Sequence, residues 1–579
     1  MFRNKVINAI EAHTNLDRTK IDSLIEIPPT LDLGNFAFPC FILAKELKKA
    51  PNQVAIELIT KIKLPKEIVE IKANGPYINF YVNKEMLAEY VNKKTPEIEM
   101  AEKVINLNND DSSNQIPKTV LLEFPSPNSN KPLHLGHVRN MVYGQSIKNL
   151  YAFCGAETTN VNLFNNRGIH VCKSMLGYTK WGNLQTPEST KKKSDKFVAE
   201  FYVLFEKHIK ENPELEKEAQ EMLQKWEHED SNILALGKKM NKWAEDGHKK
   251  TYKKFELDFE KTYYEQEDGL YKHGKEVVQE GLSKGLFYKD EESSNVMVDL
   301  EKYGLGKKVL LRADGTSIYI TQDMFLAEIK DRQYKTEKSI IITAIEQNNH
   351  FKQLFKIFEL LNKPYAKGMV HLSYGMVNLP EGRMKSREGT VVDADDLIDE
   401  LQEMAKAEIL VRNPDIDMKE LEDRSFKIAM SALRFFLLKV DPKLDIVYDP
   451  KQSLSFEGET GPYIQYTIAR INSILEKAPE LDFENVDYSL LTDNLEQQMF
   501  NLINQFNDII LEATLRHKPS AICRFALDLA QLFNEFYHQK QIVKEESKIR
   551  NARLVLAWKV KDMLILALEL LHIHPLERM

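Results

Sequence analysis

Apolar and polar positions change texture three times along the chain. Up to about residue 104 the runs are short and mixed. Tyr77-Ile78-Asn79-Phe80-Tyr81-Val82 alternates like a half-buried strand behind a Gly75-Pro76 turn, and residues 38–49 predict a helix ending ahead of Pro51. The polar stretch 106–115 reads as a linker. Beyond it, apolar runs at 119–124 and 339–343 each precede a helical pattern, the first from about His134 and the second from about His350, and 370–372 starts a third run. Strands alternating with helices predict a parallel α/β sheet. Residues 197–289 are charged and helical in pattern, as expected of an insertion into that sheet. Past residue 400, apolar residues recur at three- and four-residue steps over 425–439, 462–477, 497–514, 521–543 and 551–571, which predicts a helical bundle.

Composition narrows the class. A chain of 579 residues suits about three or four domains, and 43% hydrophobic with 29% charged residues fits a globular protein with sizeable cores. A net charge of −8 argues against non-specific coating of nucleic acid but leaves room for a local basic face. No apolar run approaches the roughly 18 residues of a membrane span, and no signal peptide is visible at Met1-Phe2-Arg3-Asn4-Lys5-Val6. Cys40, Cys154, Cys172 and Cys523 are scattered without metal-ligand spacing, so reduced, mostly buried thiols in a cytoplasmic protein are expected, and no metal site.

Two segments carry chemistry. Lys131-Pro132-Leu133-His134-Leu135-Gly136-His137 places two imidazoles on one face at the start of a helix, behind a strand. A helix N-terminus already favours an anion, two imidazoles there can donate to phosphate oxygens, and Gly136 leaves room for a flat base or ribose. A chance pair or half a metal site is the plainer alternative, although the neighbouring Pro, Leu and Asn supply no further ligand. The second segment, Gly382-Arg383-Met384-Lys385-Ser386-Arg387-Glu388-Gly389-Thr390, is a hinged cationic loop able to close on a pyrophosphate, or else a solvated turn.

Together with their flanks, these segments resemble the arginyl-tRNA synthetase family of class I aminoacyl-tRNA synthetases. His134-Leu135-Gly136-His137 looks like the class's H-I-G-H signature, and Arg383-Met384-Lys385-Ser386-Arg387 looks like a variant of K-M-S-K-S. Glu123-Phe124-Pro125-Ser126-Pro127-Asn128, Asn166-Arg167-Gly168-Ile169-His170 and the run 374–382 resemble further family segments. Ser431-Ala432-Leu433-Arg434 is similar to D-A-L-R with serine replacing aspartate. The similarity runs from Gly34 to Met579.

The resemblance implies an α/β fold: a Rossmann-type parallel-sheet catalytic domain with a helical insertion, an N-terminal α+β domain for the tRNA elbow and a C-terminal all-α anticodon-binding bundle. The expected divisions are 1–105, a linker at 106–116, 117–455 with the insertion around 175–300, and 456–579. It implies activation of L-arginine by ATP with Mg2+, giving arginyl-adenylate and pyrophosphate, and transfer to the terminal adenosine of tRNA(Arg). Bound tRNA typically assists the first step, and a monomer is the family expectation. A non-catalytic tRNA-binding relative and another nucleotidyl transferase are the competing readings. His134, His137, Asp323 and Glu123 speak against the first, and the additional domains against the second.

Residue assignments follow from the same resemblance. Catalysis falls to His134, His137, Lys131, Lys385 and Arg387, and ATP contact to His134, Gly136, His137, Met384, Lys385 and Ser386. A guanidinium needs planar carboxylate acceptors, here Asp323 and Glu123, with Tyr319 beside them on a short helix. Ser126, Asn128 and Gln347 match positions that hold the α-amino group, with His134 counted among the arginine contacts. Ser386 stands where the second signature normally has lysine, and Lys131, three residues before His134, is the candidate replacement, with Lys385 its rival. For tRNA, Tyr77 could stack on a D-loop base and Asn79 read its edge, while Phe80 is expected in the core. Tyr537 and Trp558 interleave with Lys540, Lys544, Lys548, Arg550, Arg553, Lys559 and Lys561 in a basic stretch suited to an anticodon loop. The run Lys191-Lys192-Lys193 reads as an exposed loop.

Overall fold

The alternation at 77–82 is a strand whose two faces differ. In the computed structural model, which describes residues 1–108, 115–378, 380, 392–478 and 480–579, strands β1 (Phe36–Pro39), β2 (Ile68–Asn74) and β3 (Tyr77–Val82) form an antiparallel sheet in the order β1-β3-β2. Ile78, Phe80 and Val82 point into the core, and Tyr77, Asn79 and Tyr81 share the other face. The helix expected over 38–49 is shorter than its pattern. Residues up to Pro39 pair with β3, and the helix occupies only Phe41–Leu47. Cross-strand hydrogen bonding here outweighs helical periodicity. Helix α1 (Pro96–Asn108) continues into the polar stretch read as linker from 106.

The central sheet follows the alternating pattern. Strands β4 (Thr119–Glu123), β5 (Glu157–Phe164), β6 (Lys261–Tyr264), β10 (Lys338–Ala344) and β11 (Met369–Tyr374) lie parallel in the order β11-β10-β4-β5-β6. The chain winds from β4 toward β6 and later from β4's other side toward β11. The strand order therefore reverses between β4 and β10, where open α/β sheets leave a crevice at their carboxyl ends. The sequence reading did not single out β5, because Asn160 and Asn162 interrupt its apolar pattern; both are buried. The Asn160 amide donates to Gln145 and to the Asp258 carbonyl. β6 corrects the reading of 175–300 as a helical insertion. Four residues at a sheet edge leave no apolar run, yet they pair with Val161–Phe164 as part of the sheet itself.

Helix α2 (Leu135–Phe153), which follows β4, is buried along most of its length. Gly144 permits this: a Cβ there would meet the Phe124 ring at 2.6 Å. Buried Arg139 on α2 donates to the carbonyls of Gly375 and Pro442 at 2.6 and 3.1 Å, pinning the helix to the exit of β11. The insertion supplies α3 (Ser194–His208) and α4 (Ser231–Lys254), and beyond β6 comes a small antiparallel sheet of β7 (Phe287–Lys289), β8 (Val296–Asp299) and β9 (Lys307–Leu311). Then come α5 (Tyr319–Tyr334), α6 (Asn348–Leu360) and α7 (Ala394–Arg412). The short helix expected at Tyr319 has 16 residues.

The remaining helices form the predicted bundle: α8 (Met418–Leu438), α9 (Gly461–Glu476), α10 (Asn494–Asn504), α11 (Phe506–Arg516), α12 (Ser520–Gln539) and α13 (Ser547–Leu570). The single helix read over 497–514 is two, broken at Gln505; α10 packs on α12, and α11 also packs on α1 and α2. Arg434 is buried on α8 and donates to the carbonyls of Phe255, at 2.8 Å, and His572. All four cysteines are free and buried. Among the described residues no helix is long and apolar enough to cross a membrane.

Candidate active site

The two-histidine segment begins where β4 ends, at the reversal point of the sheet. His134 caps α2, and its Nδ1 accepts the Gly136 N–H at 3.1 Å. The His137 Nδ1 accepts the His134 N–H at 3.2 Å, closing a capping box made of two imidazoles. The rings lie 3.9 Å apart. Burial, with the Lys131 charge adding, pulls His134 down to about 3. Burial followed by the charges of His134 and Lys131 holds His137 well below its usual range. Both rings are therefore neutral, and since each Nδ1 accepts a hydrogen bond, each proton sits on Nε2. The helix start thus presents two Nε2–H donors together with its free backbone N–H groups. At Gly136 a Cβ would stand 3.0 Å from the His134 ring, so glycine lets that ring fold over the helix end.

Lys131 precedes this cap. Burial lowers its pKa, and among the described residues no carboxylate pairs with its ammonium. Its carbonyl accepts a hydrogen bond from His248 Nε2 at 2.9 Å. On the other side of the segment, Leu135 N donates to Val392 O and Ala394 N to Leu133 O, at 3.2 and 2.9 Å. The chain leaving the second motif is thereby bound against the first. Met384, Lys385, Ser386 and Arg387 themselves lie outside the described residues.

The expected guanidinium acceptors divide. Glu123 is buried, but Lys330 on α5 already pairs with it at 2.5 Å, and Ser126 Oγ stands 3.4 Å from its other oxygen. A carboxylate buried in this strand needs a cation, and Lys330 already supplies it. Asp323 is only partly buried and is oriented by His350, Nε2 to Oδ2 2.6 Å. The acid that joins it is Glu265, just past the end of β6, which the sequence reading missed. Glu265 is buried, accepts the Arg167 N–H at 3.2 Å, and is raised to about 8 by burial, with the Asp323 carboxylate adding to the shift. Tyr319 is 58% exposed; its hydroxyl is raised by the burial it has and then by the charges of Glu265 and Asp323. The one signal available in sequence was a glutamate after a short charged run, which does not stand out among the chain's 87 acidic residues. Ser126 and Asn128 belong to the loop after β4. Ser126 adopts φ 54° and donates its N–H to Asn162, and Asn128 bridges to Asn165 after β5. Gln347 is exposed just before α6, at the end of β10.

The expected tRNA contacts are spread over two surfaces. Tyr77 is half-buried edge-on to exposed Phe41 at 5.9 Å; Phe80 belongs to the core. Asn79 is buried with its Oδ1 lacking a partner among the described residues. In the bundle, Arg470 lies over Tyr466 and Tyr537, 4.7 and 5.3 Å from the ring centres, in a groove of about 760 Å³ that also holds Lys540, Lys544 and Arg578. Trp558 lies outside this groove, edge-on to Phe483 at 5.2 Å. Arg553 and Lys559 of the basic stretch are buried in internal contacts with Glu496 and the Lys94 carbonyl. Lys191, Lys192 and Lys193 lie in a loop as expected, with the first two exposed, but Lys193 at its end is half-buried. It joins Asp195, Asp395 and Thr251 in a cluster binding the start of α3 to α4 and α7.

An anion-binding helix start at the carboxyl end of β4, and buried Glu265 just past the carboxyl end of β6 in the same parallel sheet, suit a nucleotide beside a cationic amino acid. Comparison with known proteins decides the family. Residues 1–82 match the family described as arginyl tRNA synthetase N terminal domain, 100–449 that of tRNA synthetases class I (R), catalytic domain, and 464–579 the DALR anticodon binding domain. The arginine–tRNA ligase of Treponema denticola is 42% identical over 567 residues, covering 96% of this chain and 94% of the relative. The chain belongs to the arginyl-tRNA synthetase family. That of Borrelia hermsii is 37% identical and covers 100% of this chain and 98% of its own. The fold agrees with the arginyl-tRNA synthetase structures from Thermus thermophilus (TM-score 0.81, 24% identity, all of both chains) and Plasmodium falciparum (TM-score 0.78, 22% identity, 100% and 98%). Family membership makes this chain an arginine–tRNA ligase: it activates arginine with ATP and charges tRNA(Arg).

Proposed function

We propose that this ligase divides its site between the two ends of the crevice. ATP lies along the start of α2, where the Nε2–H groups of His134 and His137 donate to phosphate oxygens as charge builds in the transition state. Lys131 supplies the cation that Ser386 does not. Support comes from its half-buried position without a carboxylate partner among the described residues, an arrangement that favours an arriving anion. Lys385 and Arg387 of the second motif are the further cations assigned to the phosphates. Mg2+ would come as the counter-ion of the ATP phosphates and neutralise their charge, since the side chains at the helix start are hydrogen-bond donors rather than the carboxylate oxygens it prefers.

Arginine lies at the other end. Asp323 and Glu265 accept the guanidinium, with Tyr319 beside them, while Ser126, Asn128 and Gln347 border the α-amino group. Glu123 acts through structure, by holding Lys330. The arginine carboxylate then meets the α-phosphorus, and its attack expels pyrophosphate. No enzyme group bonds to substrate, so rate comes from positioning and electrostatics. The tRNA(Arg) lies across Tyr77 and Asn79 and the Tyr537 groove, with Trp558 a lesser contact, and the enzyme works as a cytoplasmic monomer.

The observation carrying this reading is Glu265, buried just past the carboxyl end of β6 and raised by burial with the Asp323 charge adding, on the edge of the sheet where the two-imidazole cap follows β4. The test is arginine-dependent ATP–pyrophosphate exchange, with and without tRNA. Exchange that requires arginine and is promoted by tRNA is expected. Exchange indifferent to Asp323→Asn and Glu265→Gln would sink the assignment.

A further inference from the structure

His248 on α4 is fully buried, among Phe164 and Tyr252, at ring distances of 5.7 and 6.4 Å. An imidazole is costly in such surroundings unless its polarity is used. One ring nitrogen is used: Nε2 lies 2.9 Å from the Lys131 carbonyl oxygen. A carbonyl only accepts, so Nε2 carries the proton. Nδ1 is then bare, and it has no partner among the described residues. The one hydrogen bond that this buried side chain makes therefore grips the backbone of the residue whose ammonium is assigned to the phosphates.

The grip has a rigid mount. Thr251, one turn along α4, donates to Asp395 Oδ2 at 2.7 Å, and Lys193 bridges Asp195 and Asp395 at 2.9 and 2.5 Å. α7 starts at Ala394, whose N–H holds the Leu133 carbonyl. The segment 131–135 is thus suspended between α4 and the chain entering α7, and the buried ion cluster locks those two supports together.

We infer that His248 is a positioning residue for arginine activation: its Nε2–H holds the Lys131 carbonyl, and so sets where the Lys131 ammonium meets the triphosphate. This rests on the proposed role of Lys131. Arginine binds at the other end of the crevice, so losing the contact lowers the rate of activation and leaves the KM for arginine unchanged.

The test is ATP–pyrophosphate exchange in the full chain with tRNA present. His248→Phe keeps volume and removes the donor. It should lower kcat on the order of 10- to 100-fold, the scale of a misplaced reacting group, with the KM for arginine within about twofold. His248→Gln, whose amide nitrogen reaches the place of Nε2, should recover most of the rate, and the shorter His248→Asn should not. In a Lys131→Ala background, His248→Phe should cost nothing more, because the contact has lost its object. An equal loss in both backgrounds, or a Gln variant as slow as Asn, would overturn the inference. Should the Phe variant fail to fold, the Gln and Asn pair decides. If Lys131→Ala itself keeps the wild-type rate, the Lys131 assignment falls and this inference with it. If Lys131→Ala is slow and His248→Phe is fast, only the role of His248 falls.

Discussion

Lys330 on α5 and Glu123 at the end of β4 form an ion pair 2.5 Å long, with both side chains under a tenth exposed. The pair joins the central strand to the helix that also carries Tyr319 and Asp323. Removing one partner leaves the other charge buried and uncompensated. Lys330→Met should destabilise the protein by about 3–5 kcal/mol, read by urea denaturation. The double variant Glu123→Gln/Lys330→Met should recover much of that loss. A Glu123→Gln variant of unchanged stability and greatly raised KM for arginine would return Glu123 to the substrate.

Arginine selection is assigned to Asp323 and Glu265. Asp323→Asn should weaken arginine binding by about 2–5 kcal/mol, as expected when one partner of a desolvated charge pair is lost. Steady-state KM and direct binding both check it.

Glu265 makes that binding depend on pH. Its pKa of about 8 lies above the usual 4.5, so the free enzyme holds a proton there at neutral pH. The raised value stabilises the fold fully below pH 4.5, and that contribution is lost as pH rises through about 8. A bound guanidinium favours the ionised acid. Arginine should therefore displace a proton at pH 7 and bind more tightly as pH rises toward 8. Calorimetry in buffers of different ionisation enthalpy measures the proton, and Glu265→Gln should abolish it.

The imidazole cap makes a spectroscopic prediction. With His134 lowered to about 3, its ring stays neutral across the working range. Long-range proton–nitrogen spectra should show the Nε2–H form at pH 7 and no titration between pH 5 and 8. The unfolded chain binds this proton near 6.5, so the associated stability is lost as pH falls from there toward 3. His134→Ala should cost about 1 kcal/mol as a lost cap and on the order of 10²-fold in activation.

Lys131→Ala should slow adenylate formation by on the order of 10²-fold. A loss no greater than about twofold would instead point to Lys385.

Much of this enzyme is written locally. The apolar runs that became β4 and β10 and the helical periodicities past residue 400 were legible because burial on both faces, or along one stripe, leaves its period in the chain. The histidines were legible for a similar reason: capping needs them at fixed spacing, so the motif and its geometry are the same few residues. β5 and β6 were harder to read. One hides polar side chains that long-range hydrogen bonds satisfy, and the other is a short edge strand.

Residue roles at the site were decided by the fold. Nothing near Glu123 announces Lys330, 207 positions away, or puts Glu265 beside Asp323, or brings His248 to Lys131, 117 positions apart. Sequence determined the family, the sheet-and-bundle architecture and the anion-binding helix start, because each follows from spacing along the backbone. Tertiary structure alone decided which carboxylate is already neutralised, which remains for a guanidinium and what holds Lys131. The charge state of a buried group depends on what lies across space from it, and that is set only when distant segments pack together.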